Sequence, residues 1–428
     1  MMLVIAGGWA LDPAQGLDGP ADVVAEDGII TRVGKDAARD IEPGPGVQVV
    51  NAEGMRVLPG LVDMHVHLRE PGQEYKETIA TGTRAAAVGG FTAVCCMANT
   101  IPVNDNAAVT KFILDRAAAE GAVRVYPAAA ATRGQKGAEL ADFGDLAAAG
   151  ARAVSDDGHP VSDAGMMRRV LEYAADFGLA VLSHPEDLPL ANGGSMNEGA
   201  LSTRMGLPGI PAAAEAAMVA RDILLAQLTG LPLHLCHVSC FQSVEMIRLA
   251  KERGVPVTAE TAPHYFSLTE DAVAGYNTNA KMNPPLRAEK DREAVCQGLA
   301  DGTIDAIASD HAPHSILEKD LEFDQAAFGI VGLETSLSLS LALVRRGVLT
   351  LKQLVLAMST NPARILGLDP PALAPGAPAD VTVVDPDAQW VVDPEAFFSK
   401  GRNTPFAGMT LQGRAACTVV GGRVVHGG

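Results

Sequence analysis

The sequence lacks several features that mark large classes of proteins. It has no run of about 18 apolar residues, which a membrane-spanning helix requires. The N-terminal stretch "MMLVIAGGWALDPAQG" has no basic segment before its short apolar run, so it does not match a secretory signal. The six cysteines are scattered without a CxxC spacing, which is typical of reduced, mostly buried residues. These absences predict a soluble cytoplasmic protein that does not use a membrane as a partner.

Positive charge is also scarce. The chain has 33 Lys and Arg against 51 Asp and Glu, for a formal net charge of −18. A net anion repels nucleic acids and anionic membranes, so neither is expected as a partner. A small anionic substrate remains compatible with this charge if a local cationic pocket overrides the net field.

No glycine-rich phosphate loop of the GxGxxG or GxxxxGK[ST] type follows the first strand of the central region. There, short apolar strands alternate with Ala- and Leu-rich helical stretches such as "NAAVTKFILDRAAAEG". Eight strands are predicted, beginning near residues 60, 91, 123, 151, 179, 231, 255 and 304. Repeated strand–helix units without a dinucleotide motif favour an α/β fold in which a (β/α)₈ TIM-type barrel closes on itself.

The two ends of the chain differ from this middle. Short β-branched runs separated by Gly, Asp and Pro turns, as in "ADVVAEDGIITRVGKD" and "ADVTVVDPDAQWVV", predict antiparallel strands. We therefore expect a small β-sandwich domain built from both termini, residues 1–57 and 367–428. The barrel is then expected to span residues 58–366.

Polar residues follow almost every predicted barrel strand. The C-terminal ends of barrel strands meet at one rim, where the active site of this fold lies. Seven of the ten histidines lie just past a predicted strand, together with an arginine, an asparagine and several aspartates. The residues expected at this rim are His65, His67, Arg69, Asn99, Asp156, Asp157, His184, His237, His264, Asp310, His311 and His314. Such clustering indicates a site, because packing alone does not require it.

These side chains fit a metal centre. His65 and His67 share one face of their strand, since side chains at i and i+2 point the same way. Imidazoles and carboxylates are ligands that zinc prefers, and two neighbouring ions could share a carboxylate and hold a hydroxide between them. Asp156 and Asp157 would face oppositely in a strand, so only one can be that carboxylate. The chemistry implied is addition of water to a carbonyl, or its reverse.

Arg69 has a separate predicted role. Guanidinium does not bind metals but pairs bidentately with carboxylates, so Arg69 beside the histidines would hold an acidic substrate. The alternative is a structural salt bridge to Glu70 or Glu74.

The motifs "DMHVHLREPGQEYKET", "GGFTAVCCMANT", "VSDDG", "CHVS", "KMNPPLR" and "DGTIDAIASDHAPH" closely resemble segments of the class I bacterial dihydroorotases of the amidohydrolase superfamily. The similarity extends over nearly the whole chain. It implies reversible cyclisation of N-carbamoyl-L-aspartate to L-dihydroorotate with loss of water, in de novo pyrimidine biosynthesis. It also implies two zinc ions and a homodimer, and it leaves association with aspartate transcarbamoylase open.

The resemblance also implies individual roles. His65, His67 and Asp310 would hold one zinc ion, His184 and His237 the other, and Asp157 would bridge them. Asp310 would also be the catalytic general acid/base. The implied substrate-binding residues are Arg69, Asn99 and His314 for the carboxylate, and Asn283 with the backbone of Phe328 and Gly329 for the ring.

This chain departs from the family pattern at three places near the site. Ala327 stands where proline is common, "SHPED" where the family has His-Cys-Glu-Asp, and Ala98 where proline often precedes the asparagine. The charged stretch 315–327 has little secondary-structure signal and is expected either to cover the substrate as a mobile loop or to be a disordered connection.

Lesser candidates have mainly structural interpretations. Cys95, Cys96 and Cys236 are expected to pack in barrel strands, and His159 to lie in a loop. His264 is either near the metals or a satisfied strand end, and Asp63 either orients the histidines or makes a structural hydrogen bond.

Two other functions fit parts of the pattern. A dihydropyrimidinase or allantoinase shares the HxH motif and the barrel, but typically bridges its metals with a carboxylated lysine, and no lysine follows strand four here. A catalytically inactive subunit that supports aspartate transcarbamoylase would have lost metal ligands, whereas all six are present.

Overall fold

The computed structural model describes residues 1–42 and 44–428. Within these residues the strands, in chain order, are β1 Met2–Asp12, β2 Leu17–Glu26, β3 Ile29–Gly34, β4 Val47–Asn51, β5 Arg56–Pro59, β6 Leu61–Val66, β7 Phe91–Cys96, β8 Arg124–Ala129, β9 Ala153–Val154, β10 Ala180–Ser183, β11 Met196–Asn197, β12 Gly209–Ile210, β13 Leu233–Leu235, β14 Val257–Thr261, β15 Ala306–Ile307, β16 Val381–Val391, β17 Thr410–Val420 and β18 Arg423–Gly427.

The α-helices of the same residues lie mainly between the central strands. They are α1 Ile79–Val88, α2 Ala107–Glu120, α3 Phe143–Ala149, α4 Ala164–Ala175, α5 Leu188–Ala191, α6 Ala200–Met205, α7 Ala212–Thr229, α8 Phe241–Glu252, α9 Pro263–Ser267, α10 Glu289–Asp301, α11 Ile316–Lys319, α12 Leu333–Arg345, α13 Leu351–Val355 and α14 Asn361–Ile365. The side chains of Thr78, Asn106 and Asp163 cap the N-termini of α1, α2 and α4.

Eight parallel strands form the barrel, in the order β6-β7-β8-β9-β10-β13-β14-β15. Each corresponds to one of the eight strands predicted from the sequence, so the (β/α)₈ prediction is confirmed. The barrel closes between its first and last strands, where Val66 bridges His311 in parallel. Asp63 adds to this closure because its carboxylate accepts a hydrogen bond from the backbone N–H of Ser309 at 3.1 Å.

The terminal strands form one further sheet, in which β18-β17-β16-β5-β1-β2-β3 are hydrogen-bonded in that order and β4 pairs with β1. Both ends of the chain contribute, as predicted, and the buried side chains of both form a single apolar cluster. The expectation of purely antiparallel strands is wrong. β1 pairs in parallel with both β4 and β5, because the chain crosses the sheet between β3 and β4 and then continues along β1 into β5.

The barrel and the terminal sheet are joined through polar contacts. Arg124 of β8 donates two hydrogen bonds to Asp380, at 2.8 and 3.1 Å, and Thr382 of β16 donates to the backbone of Gly90 at 2.6 Å. The domain boundaries at 57/58 and 366/367 stay predictions. Among the described residues, no helix is both long and apolar enough to cross a membrane.

Candidate active site

A cavity of about 300 Å³ opens at the C-terminal ends of the barrel strands. Its lining includes all six predicted substrate-binding residues, Arg69, Asn99, Asn283, His314, Phe328 and Gly329. It also includes five of the six predicted metal ligands, His67, Asp157, His184, His237 and Asp310. The sixth, His65, is fully buried beside them. The tertiary structure therefore brings residues from six different strand ends into one place.

Asp157 lies at the centre of the histidines. Its carboxylate oxygens are 3.4 to 3.6 Å from the nearest ring nitrogens of His65, His67, His184 and His237. The neighbouring Asp156 points elsewhere, because it accepts hydrogen bonds from the backbone N–H groups of Ala131 and Thr132 at 2.8 and 3.0 Å. The ambiguity between the two carboxylates, which residue type alone left open, disappears once their partners are known.

Asp310 follows β15, across the barrel seam from β6, and faces the same cluster. Its Oδ1 lies 3.3 Å from His67 Nε2 and 3.5 Å from His65 Nε2. The backbone of Asp310 is left-handed at φ 47°, as are those of Arg69 at 60° and His237 at 39°. Non-glycine residues rarely adopt this conformation, and such strain concentrates at functional sites.

Glu260, in the middle of β14, fixes the orientation of His65. Its Oε1 lies 2.6 Å from His65 Nδ1, and its Oε2 lies 3.3 Å from His234 Nε2. Because Nδ1 is taken by this contact, Nε2 is the ring nitrogen that faces Asp157 and Asp310. Sequence reasoning missed Glu260. The available signal was an acidic residue inside a strand, "VTAET".

The charges of this cluster are strongly coupled. Burial opposes ionisation of His65, but the carboxylates of Asp310, Asp157 and Glu260 outweigh it and raise the pKa of His65 well above its usual value. Burial likewise opposes ionisation of Asp157, and the facing histidines nevertheless hold the pKa of Asp157 well below its usual range. Buried carboxylates need nearby positive charge to stay ionised. Protonated imidazoles or bound metal cations can supply that charge.

The donor set fits divalent metal ions. Within 4.8 Å, ligand atoms converge in one group from His65, His67 and Asp310, and in another from His65, Asp157 and His237. His65 Nε2 is buried and has no hydrogen-bond partner among the described residues. An unpartnered imidazole nitrogen facing two carboxylates is suited to a metal ion, since a cation satisfies the nitrogen and both carboxylates together.

Arg69 is a buried cation that lines the cavity, with only 8% of its surface exposed. Its Nε donates to the backbone oxygen of Pro313 at 3.3 Å, and an Nη atom lies 3.4 Å from His314 Nε2. Neither alternative salt bridge forms. Glu70 pairs with Arg116 at 2.9 Å, and Glu74 accepts from a backbone N–H at 2.8 Å. Among the described residues, Arg69 makes no ion pair.

His314 is held neutral beside this cation. Burial, followed by the charge of Arg69, lowers the pKa of His314 to about 2. The neutral ring can accept a hydrogen bond from Arg69 at Nε2, and its proton is then on Nδ1, which is buried 3.6 Å from Glu318 Oε2. Arg69 can thus offer N–H donors to a carboxylate in the cavity, and the ring beside it carries no competing positive charge.

The two predicted asparagines contact the metal-ligand cluster as well as the cavity. Asn99 Oδ1 lies 2.9 Å from His67 Nδ1, and its Nδ2 donates to Asp157 at 3.4 Å. Asn283 Nδ2 donates at 3.1 Å to Glu186, whose carboxylate lies 3.3 Å from His184 Nε2. Glu186 comes from the "SHPED" motif, so a carboxylate supports His184 despite the proline at 185.

The backbone of Gly329 already has internal partners. Its N–H donates to the carbonyl of Lys281 at 2.9 Å, and its carbonyl accepts from Asn403 and Lys319 at 3.0 and 3.1 Å. The backbone groups of Phe328 have no hydrogen-bond partner among the described residues. Of this pair, Phe328 is therefore the residue whose backbone can bind a ligand without first breaking a bond.

The lesser candidates have structural surroundings. All six cysteines are buried and free, as predicted. His159 is exposed, and His264 is buried against the ring of Tyr265 at 4.2 Å between centroids. Asp63 bonds the backbone of Ser309 and His65 rather than a histidine ring.

Solved structures show a similar fold. The L-hydantoinase (dihydropyrimidinase) from Arthrobacter aurescens superposes with a TM-score of 0.87 at 25% identity, covering 99% of this chain and 96% of that one. The dihydropyrimidinase from Brevibacillus agri gives a TM-score of 0.86 at 23% identity, covering 100% of this chain and 95% of that one. Fold and site together define a barrel of the cyclic amide hydrolase class with a His/Asp cluster able to bind metal.

Sequence comparisons are more specific. A family model described as "Dihydro-orotase-like" matches residues 54–243. The chain is 57% identical to a dihydroorotase of Geobacter metallireducens over 100% of both chains. It is 57% identical to a dihydroorotase of Desulforapulum autotrophicum over 100% of this chain and 99% of that protein. The chain belongs to the dihydroorotase family.

Proposed function

We propose that this chain catalyses the dihydroorotase reaction, the reversible cyclisation of N-carbamoyl-L-aspartate to L-dihydroorotate and water. The observation that carries the proposal is the position of Arg69. A buried arginine with no acidic partner in the described part of the chain lines the cavity beside the His/Asp cluster, in a chain of the dihydroorotase family. A substrate carboxylate would supply the missing charge.

Two zinc ions are the proposed cofactors. His65, His67 and Asp310 would hold one and His184 and His237 the other, with Asp157 shared between them. Histidine and carboxylate donors without thiolates suit zinc in a catalytic site. When bound, the ions would polarise the scissile carbonyl and lower the pKa of the attacking water.

The protein's own residues would bind and orient the substrate. Arg69, Asn99 and His314 would pair with the carboxylate that stays outside the ring. Asn283 and the backbone of Phe328 and Gly329 would contact the ring, with the free N–H of Phe328 as the available donor. These contacts would place the ring amide against Asp310 and close to the histidines.

Asp310 is the proposed general acid/base. In the hydrolytic direction its carboxylate would accept a proton from the attacking water as the new carbon–oxygen bond forms. It would then deliver that proton to the ring nitrogen as the carbon–nitrogen bond breaks. Its position within 3.5 Å of His65 and His67 supports this role, because a carboxylate beside imidazoles stays ionised and ready to accept a proton.

Hydantoinase-type activity is the nearest alternative. The similarity to hydantoinase structures concerns the fold, whereas the site offers a carboxylate, Asp157, at its centre and a free arginine in its cavity. A neutral cyclic imide has no group for Arg69. An inactive supporting subunit is disfavoured because all six proposed ligands lie together. Homodimer formation, association with aspartate transcarbamoylase and cytoplasmic location stay predictions.

An assay with bound metal measured in parallel tests the proposal. Purified protein should contain zinc, cyclise N-carbamoyl-L-aspartate and hydrolyse dihydroorotate. Asp310→Asn should lower turnover at least about 1000-fold, since it removes the proton acceptor. Asp176→Asn, at an exposed position, is the matched control and should retain wild-type turnover. Turnover of hydantoin with none of dihydroorotate, or near-normal turnover by Asp310→Asn, would show the assignment to be wrong.

A further inference from the structure

Two lysines are buried beside the cavity although the proposed mechanism does not use them. Only 2% of Lys281 and 3% of Lys319 is exposed. Neither ammonium group forms an ion pair within the part of the chain that the structure describes. Burying an ammonium group without a counter-ion is unfavourable unless hydrogen bonds replace its lost hydration. Burial accordingly lowers the pKa of Lys281 to about 8 and that of Lys319 to about 7.

Both lysines donate to backbone carbonyls of one segment, residues 315–329. Lys319 Nζ lies 2.7 Å from the carbonyl oxygen of Ala327 and 3.1 Å from that of Gly329. Lys281 Nζ lies 2.7 Å from the carbonyl oxygen of Phe323 and 3.0 Å from that of Asp324. Lys281 therefore binds the segment from outside, whereas Lys319, which belongs to the segment, ties its C-terminal end back onto α11.

Lys281 also contacts the ring of Phe328. Its Nζ lies 4.4 Å from the centroid of the Phe328 ring, within range of a cation–π contact. Its own carbonyl accepts the N–H of Gly329 at 2.9 Å. The rim formed by Phe328 and Gly329 is thus held by side-chain and backbone groups of the two lysines together.

Other contacts attach this segment as well, since Asn403 donates to the carbonyl of Gly329 at 3.0 Å and the Tyr75 hydroxyl donates to Glu318 at 3.3 Å. It contains the short helix α11, whose Ile316 and Leu317 are 71% and 79% exposed and do not join the core. Phe323 is the large apolar side chain that it buries. At its outer side, Glu318 makes an ion pair with Lys76 at 2.7 Å. The side chains of this pair are only 10% and 28% exposed, so it contributes to the attachment together with the buried lysines.

Ala327 adds one backbone bond that proline could not make. Its N–H donates to the carbonyl of Glu318 at 2.9 Å, while its carbonyl accepts from Lys319. The segment is therefore folded upon itself through Lys319 and Glu318, and it is neither extended nor disordered.

We propose that Lys319 and Lys281 are positioning residues that hold the 315–329 segment against the cavity, so that the free backbone groups of Phe328 face the substrate ring. The role in substrate binding rests on the proposed function, whereas the attachment of the segment does not. Loss of either lysine should loosen the segment and weaken substrate binding more than it slows the chemical step.

Lys319→Met and Lys281→Met test this in the full-length, metal-loaded protein. Each removes the donors while keeping an apolar stem of similar length. We expect amide hydrogen exchange in residues 315–329 to quicken about tenfold or more, because hydrogen bonds from a charged group are lost. KM for dihydroorotate should rise about tenfold with a smaller change in kcat, and Lys319→Arg should recover part of both effects. Lys352→Met, at a surface ion pair with Asp18, is the matched control and should change neither.

The two readouts separate the possible failures. If exchange in the segment and KM stay within about twofold of wild type in both methionine variants, the lysines do not position it. If exchange quickens throughout the barrel while KM is unchanged, their role is only structural and the proposal is wrong. If the wild-type protein does not act on dihydroorotate but the segment alone loosens in the variants, the proposed function fails and the attachment stands.

Discussion

Replacing Arg69 by methionine removes the guanidinium and keeps an apolar stem in its place. In the structure this side chain is 92% buried, with hydrogen bonds of 3.3 and 3.4 Å to Pro313 and His314 and no ion pair among the described residues. We expect substrate binding to weaken and the fold to keep its stability. Weaker substrate binding with unchanged stability distinguishes a substrate-binding arginine from an arginine that stabilises the folded state.

The magnitudes follow from the contacts. Truncating one partner of a buried, hydrogen-bonded charge pair costs about 2–4 kcal/mol, which corresponds to about a 30- to 1000-fold loss in kcat/KM. The free energy of unfolding should change by less than about 1 kcal/mol, because the two lost hydrogen bonds are long and removal of an uncompensated buried charge offsets them. A structural salt bridge would instead leave a buried carboxylate unpaired and destabilise the fold by about 3–5 kcal/mol.

The assay compares dihydroorotate with dihydrouracil, which has the same ring without the carboxylate. Arg69→Met should lose activity on dihydroorotate alone, with KM carrying most of the loss, while any slow hydrolysis of dihydrouracil stays as in wild type. Arg168→Met, an exposed arginine paired with Glu172, controls for the substitution type. Equal losses on both substrates, or a lower melting temperature with unchanged KM, would refute the reasoning.

Two further predictions concern buried carboxylates. Glu260→Gln should weaken zinc retention about 10- to 100-fold, because the charged partner of His65 Nδ1 is lost. Competition with a chelator measures zinc retention. Equal retention by the variant and the wild type would contradict the role of Glu260 in orienting His65. Burial raises the pKa of Glu334 from its ordinary 4.5 to about 7. Between these pH values the folded state binds more protons than the unfolded state. The contribution of Glu334 to the free energy of unfolding therefore falls as the pH rises from 4.5 to 7. Glu334→Gln keeps an acceptor for the N–H groups of Phe398 and Ser399. It should therefore stabilise the protein at pH 8, by at most about 3 kcal/mol, and have no such effect near pH 4.5. A pH-independent difference in melting temperature would argue against it.

Much of the fold could be predicted because its pattern is local. Each barrel strand is a short apolar run bounded by helical stretches, and this alternation predicts parallel β/α units wherever it occurs. The terminal sheet was only partly predictable. β-branched residues indicate strands, but the parallel pairing of β1 with β4 and β5 depends on which segments meet after the chain has crossed the sheet.

The site shows the same division. Strand periodicity indicated that His65 and His67 lie together, and the other histidines followed from the rule that barrel strands end at one rim. Arg69 also lines the cavity, but it lies three residues beyond the end of β6 with a left-handed backbone, so the periodicity of a strand does not explain its position. Glu260 and Glu186 could not be found this way, because their importance comes from the histidines that they contact and not from their position in the sequence.

By itself, the sequence determined the strand count, the set of polar residues at the strand ends and the family to which the chain belongs. The family resemblance already favoured Asp157 over Asp156, and the tertiary structure gave the physical reason, since Asp156 binds backbone N–H groups. Only the tertiary structure decided that Arg69 has no acidic partner among the described residues and that two buried lysines donate to carbonyls of residues 315–329. Periodicity specifies the face on which a side chain lies. The hydrogen-bond and charge partners of that side chain are residues distant in the chain, and only folding brings these residues together.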